Sequence, residues 1–303
     1  MPDQFPIVFV RQKEYQLSQD ETMGTKSKFW FKHPELDRCL YKHIRPNTGE
    51  DWAEKIAEQI CELLGLPHAN YELAETWLGN YGTVSPNFIP QGGTLIHGNE
   101  ILTPLVPNYP TYETYNASQH TIGVVINAIE SSQVQLPPGW IVPEGIKVAR
   151  DLFVGYILLD ALIGNGDRHH ENWGFVRSRA ANSHDITYLS PTYDHASCLG
   201  RELLDAKRQV RSVESYAKNC ISAFYRDVND KKPFKTFELF NELANRYPLT
   251  AQVWLNRLAG ISMKNIDLIL QAIPQKRISP IAAKFAQDIL EFNQNRLLSL
   301  RKS

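Results

Sequence analysis

The chain has 303 residues, 43% hydrophobic and 21% charged, with 17 Gly and 18 Pro dispersed along it; this is globular composition and excludes a disordered chain, a collagen and a coiled coil. Its 32 basic and 33 acidic side chains give a formal charge of -1, so no global field draws it to nucleic acid or to an anionic membrane. Cys39, Cys61, Cys198 and Cys220 lie far apart with no Cys-x-x-Cys pair, and read as buried thiols of a reducing compartment. Met1 to Gln4 shows no export signal, and the most apolar run, Val154 to Gly164, is short and interrupted by Asp160, so a cytoplasmic protein is expected.

Short runs of β-branched and aromatic residues predict strands at Ile7–Val10, Lys28–Lys32, Arg38–Ile44, Tyr71–Trp77 and Thr83–Phe88. Pro34 cannot sit inside a ladder, so His33–Asp37 is the turn of a hairpin. One helix interrupts the strands. It is predicted to start at Thr48, with Asp51 completing a capping-box-like pair, to run through Trp52, Ile56, Ile60, Leu63 and Leu64, and to stop at Gly65 ahead of Pro67. Beyond residue 110 helical periodicity dominates, at 119–131, 145–163, 211–220, 234–246, 251–258, 262–273 and 280–300. One predicted strand pair, Trp173–Arg177 and Ile186–Tyr193, breaks that series. The pattern is α+β and bilobal, with a small β-rich lobe over residues 1–106, a mostly helical lobe over 107–303, and a ligand cleft expected between them.

The segment Gly164 to Phe175 sets Asp167, Arg168, His169, His170 and Glu171 between an apolar helix and a strand, where loops carry function. Asp167 and Asn172 stand in an Asp-x-x-x-x-Asn relation, the spacing by which phosphoryl-transfer loops place a base and a magnesium ligand. Asp194 falls at the end of the predicted hairpin, so antiparallel pairing returns it to the loop as a second hard-oxygen ligand. The phosphates also need a cation. Lys42 in its apolar strand supplies one, with Glu54 on the following helix as its expected partner and Glu58, one turn on, as the alternative. Gly24, Thr25 and Lys26 form a candidate phosphate-covering turn with a single glycine, so Lys26 or Lys28 must help it. His169, His170, His184 and His195 also suggest transition-metal ligands, but His184 falls in a predicted turn and His169 reads better as a hydrogen-bonding buttress. Phe29, Trp30 and Phe31 read as core.

Leu162 to Phe175, followed by Tyr193 to Gly200, resembles the HipA-type serine/threonine kinases, toxins of type II bacterial toxin–antitoxin systems. The resemblance extends to Lys42, to the helix from Trp52 to Pro67 and to His97–Leu102, which is similar to the approach to the interlobe hinge and places Glu100 at the cofactor. It spans most of residues 20–210. It implies a protein-kinase-like fold, ATP and Mg²⁺ as cofactors, a protein serine or threonine as acceptor, translation factors such as aminoacyl-tRNA synthetases among the targets, and an antitoxin protein as partner. By the same resemblance Asp167 is the catalytic aspartate, Asn172 and Asp194 are metal ligands, and Lys42 binds ATP. The chain starts almost at the phosphate-binding loop, so it resembles the shorter HipT-like members. Family members are silenced by phosphorylation in that loop, which here offers Ser18, Thr22, Thr25 and Ser27.

Two other readings share these motifs: a phosphoinositide-type lipid kinase, whose loops also read Asp-Arg-His-x-x-Asn, and a nucleotide-binding pseudokinase. A neutral chain without a basic membrane-binding helix, and Trp173-Gly174-Phe175 after Asn172, favour a protein acceptor. Lys42, Asp167, Asn172 and Asp194 together favour an enzyme. No helix with a basic recognition face is found, so direct nucleic-acid binding is not expected.

Overall fold

The structure, a computed structural model, describes residues 3–16, 18–20, 27–179 and 185–302. Strands β1 (Ile7–Val10), β2 (Gln19–Asp20), β3 (Lys28–His33), β4 (Asp37–His43), β5 (Glu72–Thr76) and β6 (Tyr81–Pro86) form a six-stranded sheet in the order β1-β5-β6-β4-β3-β2. β1 runs parallel to β5 and the other pairs are antiparallel. The two-residue period of the strands sorts their side chains. Phe29, Phe31, Cys39, Tyr41 and Val84 bury one face in a small core, which Tyr15 of α1 (Gln12–Gln16) joins by meeting the Phe29 ring edge-on at 5.0 Å. Trp30 and Lys42 take the other face, and Arg38 covers the Trp30 ring at 4.4 Å.

Between this sheet and the helices of the second lobe lies α2 (Glu50–Leu64), and its position explains why it is buried on its polar as well as its apolar side. The helix starts later than predicted. Thr48 spends its hydroxyl on the Arg45 carbonyl at 2.7 Å, so the N-cap falls to Gly49. A Cβ at Gly49 would lie 1.9 Å from the Trp52 ring, and its N–H reaches the Arg201 carbonyl at 2.9 Å. At the other end Gly65 adopts φ 70 and stops the helix in the left-handed conformation that glycine tolerates best.

The second lobe contains β7 (Thr94–His97), α3 (Gly98–Leu102), α4 (Ile122–Ser131), α5 (Ala149–Ile163), β8 (Gly174–Arg179) and β9 (Asp185–Leu189). It is completed by α6 (Asp205–Val210), α7 (Val213–Lys218), α8 (Thr236–Arg246), α9 (Pro248–Ala259), α10 (Met263–Ala272) and α11 (Pro280–Leu298). β7, β8 and β9 form a second, antiparallel sheet. The strand β7 was not expected, and through it residues 94–97 belong with the hairpin that follows the polar loop rather than with the first sheet. The predicted strand at 186–193 ends early, at Leu189, because the chain turns away through Pro191 and Thr192 donates to the Pro67 carbonyl at 2.9 Å. That crossing carries the next residues to the first lobe.

α5 is apolar almost all round and correspondingly buried, and it packs against α8, α9 and α11. Its residues Leu152, Tyr156 and Leu159 share one continuous core with Trp52, Ile56 and Ile60 of α2. Cys39, Cys61 and Cys198 are buried free thiols and Cys220 is half-buried. Burial pushes Cys39 and Cys220 up to about 12, so neither thiol ionises readily. Among the described residues, no helix is long and apolar enough to cross a membrane.

Candidate active site

The polar loop is built on a buried ion pair. α5 ends at Gly164, and Asp160, an acid in the last turn of that apolar helix, receives the Arg168 guanidinium through Nη2–Oδ1 at 2.7 Å and a second Nε–Oδ2 contact. Arg168 is 2% exposed; burial opposes its charge, yet Asp160 leaves its pKa raised overall. Asn165 Nδ2 also donates to Asp160, at 2.8 Å, and Arg168 Nη1 donates to the Asn172 carbonyl at 3.2 Å. Asn172 Nδ2 in turn donates to the Asp167 carbonyl at 2.7 Å, which fixes the two ends of the Asp-x-x-x-x-Asn spacing together. His169 acts as the expected buttress: its Nδ1 accepts the Glu171 N–H at 3.2 Å and its carbonyl the Asn172 N–H at 2.9 Å. His170 Nδ1 meets the Tyr109 hydroxyl at 2.9 Å.

Among the described residues, the Asp167 carboxylate accepts from two hydroxyls of the chain itself. Tyr115 donates to Oδ1 at 3.3 Å and Ser197 to Oδ2 at 3.1 Å, with His169 Nε2 3.8 Å from Oδ1.

Asp194 lies on the segment that leaves β9 toward Lys42 and α2. Its φ of 58 is left-handed, a conformation that costs a non-glycine residue roughly 1–2 kcal/mol. Two backbone hydrogen bonds hold the turn: the Asp194 N–H donates to the Tyr71 hydroxyl at 2.9 Å and the His195 N–H to Glu54 Oε1 at 2.6 Å. The Asp194 carboxylate lies 3.2 Å from Lys42 Nζ. Burial lowers the Lys42 pKa, the carboxylates of Asp194 and then Glu54 raise it, and the net shift is upward. The expected Lys42–Glu54 ion pair is therefore corrected to Lys42–Asp194, because Glu54 is engaged by the backbone beside Asp194. Glu58 is not the alternative partner either. It pairs with Lys55 at 3.0 Å, and Lys55 is further held by the Tyr71 carbonyl at 2.7 Å.

Glu100, expected at the cofactor, accepts the His97 N–H at 2.9 Å and so caps α3. Gly24, Thr25 and Lys26 lie outside the described residues, as do Thr22 and His184. Several residues of the site escaped the sequence analysis: Tyr71, Tyr115, Ser197 and Arg201, which donates from Nη2 to the Ser197 hydroxyl at 3.1 Å. Asp160 alone carries a signal, as the acid that interrupts the apolar run Val154 to Gly164.

The donors suit a metal-bound nucleotide. Asp194 offers a carboxylate and Asn172, its NH₂ committed to Asp167, an amide oxygen; hard divalent cations prefer such oxygens. Lys42 adds the point charge that phosphates require.

No family model matches the chain. The serine/threonine-protein kinase CtkA of Helicobacter pylori (strain J99) is 28% identical over 159 residues, 51% of this chain and 46% of CtkA, so the match spans about half the length of that relative. The crystal structure of the H. pylori proinflammatory kinase CtkA superposes with a TM-score of 0.69 at 19% identity, covering 98% of this chain and 100% of that one. HipA of Shewanella oneidensis MR-1, solved with HipB and operator DNA, superposes with a TM-score of 0.56 at 15% identity, over 91% of this chain and 64% of that one.

Proposed function

We propose that this chain, a relative of CtkA with the HipA-like kinase fold, transfers the terminal phosphoryl group of ATP to serine or threonine hydroxyls of a protein. The observation that carries the reading is the 3.2 Å contact of Lys42 with Asp194, facing a loop in which Asn172 Nδ2 holds the Asp167 carbonyl at 2.7 Å. Bound Mg-ATP supplies the activated phosphoryl group. The residues of the chain do the rest. On the first sheet, Lys42 neutralises phosphate oxygens from a site largely withdrawn from solvent, where its charge acts more strongly. Gly24, Thr25 and Lys26 are proposed to cover the phosphates and Glu100 to sit at the hinge side of the cleft. In the second lobe, Asn172 and Asp194 hold the divalent cation, and Asp167 orients the acceptor hydroxyl and takes its proton as the new bond forms. Glu54 positions Asp194 through the His195 N–H, and Asp160 positions Asp167 and Asn172 through Arg168.

The acceptor class that the HipA resemblance points to is a translation factor such as an aminoacyl-tRNA synthetase. An antitoxin-like protein is the proposed partner, since the Shewanella HipA was solved with HipB. A cytoplasmic protein that also labels itself fits the same reading. Its test is transfer of labelled phosphate from Mg-ATP to casein by wild type, Asp167→Ala and Asp194→Ala. Both variants should lose transfer about 10²–10⁴-fold. A wild-type chain that labels no acceptor and binds no nucleotide in calorimetry overturns the reading.

A further inference from the structure

The two hydroxyls on Asp167 differ in how they are held. Ser197 is half-buried and braced by Arg201, whose Nη1 pairs with Glu50 of α2 at 3.0 Å. It is a fixed support for the base. Tyr115 instead comes from the irregular connection between α3 and α4, is 62% exposed, and rests its ring edge-on against His169 at 5.8 Å. Burial and then the nearby Asp167 raise its phenol pKa, so at neutral pH it is protonated and donates to the carboxylate. A protonated hydroxyl on the base, reached from the solvent side, has the geometry of a phosphoryl acceptor.

We propose that Tyr115 is an internal phosphoryl acceptor: it occupies the place that a protein hydroxyl must take and is phosphorylated there by the site of its own chain. The proposal rests on the kinase reading. In the step, the Tyr115 O–H bond breaks and its proton passes to Asp167. The phenolic oxygen bonds to the terminal phosphorus of ATP, and the bond from that phosphorus to the bridging oxygen breaks, its electron pair leaving with ADP. The product places a charge of about −2 beside the Asp167 carboxylate. Repulsion then drives the connection off the base and opens the acceptor place, so self-phosphorylation precedes transfer to other proteins.

The experiment uses the full chain, treated with phosphatase and then given Mg-ATP and casein, with intact mass and peptide mapping followed over time at low and high protein concentration. The expected result is phosphate on Tyr115 at a rate per molecule independent of concentration, reduced at least about a hundredfold in Asp167→Asn. Casein labelling should show a lag that follows this modification and is absent in Tyr115→Phe. An unmodified Tyr115 peptide while casein is labelled overturns the proposal and leaves the kinase reading standing. Modification of Ser197 in place of Tyr115, or a rate that rises with protein concentration, overturns it equally. No label on chain or casein, with no nucleotide bound, overturns both.

Discussion

Lys42 Nζ lies 3.2 Å from Asp194 Oδ2, and the contact joins the six-stranded sheet to the segment that crosses over from β9. The Lys42 side chain is 13% exposed and that of Asp194 29%, so the pair is only partly desolvated. Lys42→Met should cost about 1 kcal/mol of stability or less, since water can still reach Asp194. Loss of a preorganised charge at the phosphates should lower kcat about 10²–10³-fold. Thermal melts and casein phosphorylation separate the two effects, and a variant with wild-type kcat removes Lys42 from the site.

Glu54 makes a sharper distinction. Its Oε1 accepts the His195 N–H at 2.6 Å, and its importance in this arrangement lies in that acceptor oxygen rather than in a pair with Lys42. Glu54→Gln keeps an oxygen there and should hold activity within about tenfold. Glu54→Leu strands a buried N–H at a cost of about 1–3 kcal/mol and lets Asp194 shift, so KM for ATP should rise. Equal loss in both variants would mean that the working state needs the Glu54 charge.

How much of this was legible in the residues themselves differs between elements. The β3–β4 hairpin was, because Pro34 and two apolar runs are local signals, and so was the stop of α2 at Gly65. The strand β7 was not. It has four residues, and its pairing with β8 is settled by a contact distant in sequence, which periodicity does not carry. Asp167, Asn172 and Asp194 announced themselves by spacing, whereas Tyr115 and Ser197 reach Asp167 from separate segments with no shared motif. The Lys42–Glu54 expectation failed in detail for a related reason: the N–H that engages Glu54 belongs to His195, and no pattern along the chain reveals a backbone donor.

The Asp160–Arg168 pair beneath the loop gives a third prediction. Both side chains are almost fully buried, at 5% and 2% exposure. Arg168→Met leaves a buried carboxylate without its counter-charge and should destabilise by about 3–5 kcal/mol. Asp160→Leu combined with Arg168→Met removes both charges and should recover much of that loss in urea unfolding. Activity should not return with it, because Arg168 Nη1 also holds the Asn172 carbonyl at 3.2 Å. A double variant as unstable as Arg168→Met alone would show that the cost is packing rather than charge.

His120 links the same region to pH. Its Nδ1–H donates to the Ala223 carbonyl at 2.9 Å and its Nε2 accepts the Trp173 indole N–H at 3.1 Å, so the neutral ring satisfies both partners. A proton on Nε2 would face the indole N–H. Burial above all, with smaller contributions from His170 and His169, pushes His120 from 6.5 down to about 3, and burial with His169 takes His170 to about 4. The unfolded chain takes up these protons below about pH 6.5 while the native chain does not, so stability is complete at neutral pH and falls as the solution is acidified toward the folded values. For His120 alone the loss between about pH 7 and pH 5 is about 2 kcal/mol. Urea unfolding across that range measures it, with Trp173 fluorescence as the local probe. His120→Gln, which cannot titrate, should be less stable at neutral pH but lose less on acidification, and a slope equal to that of the wild type would place the acid sensitivity elsewhere.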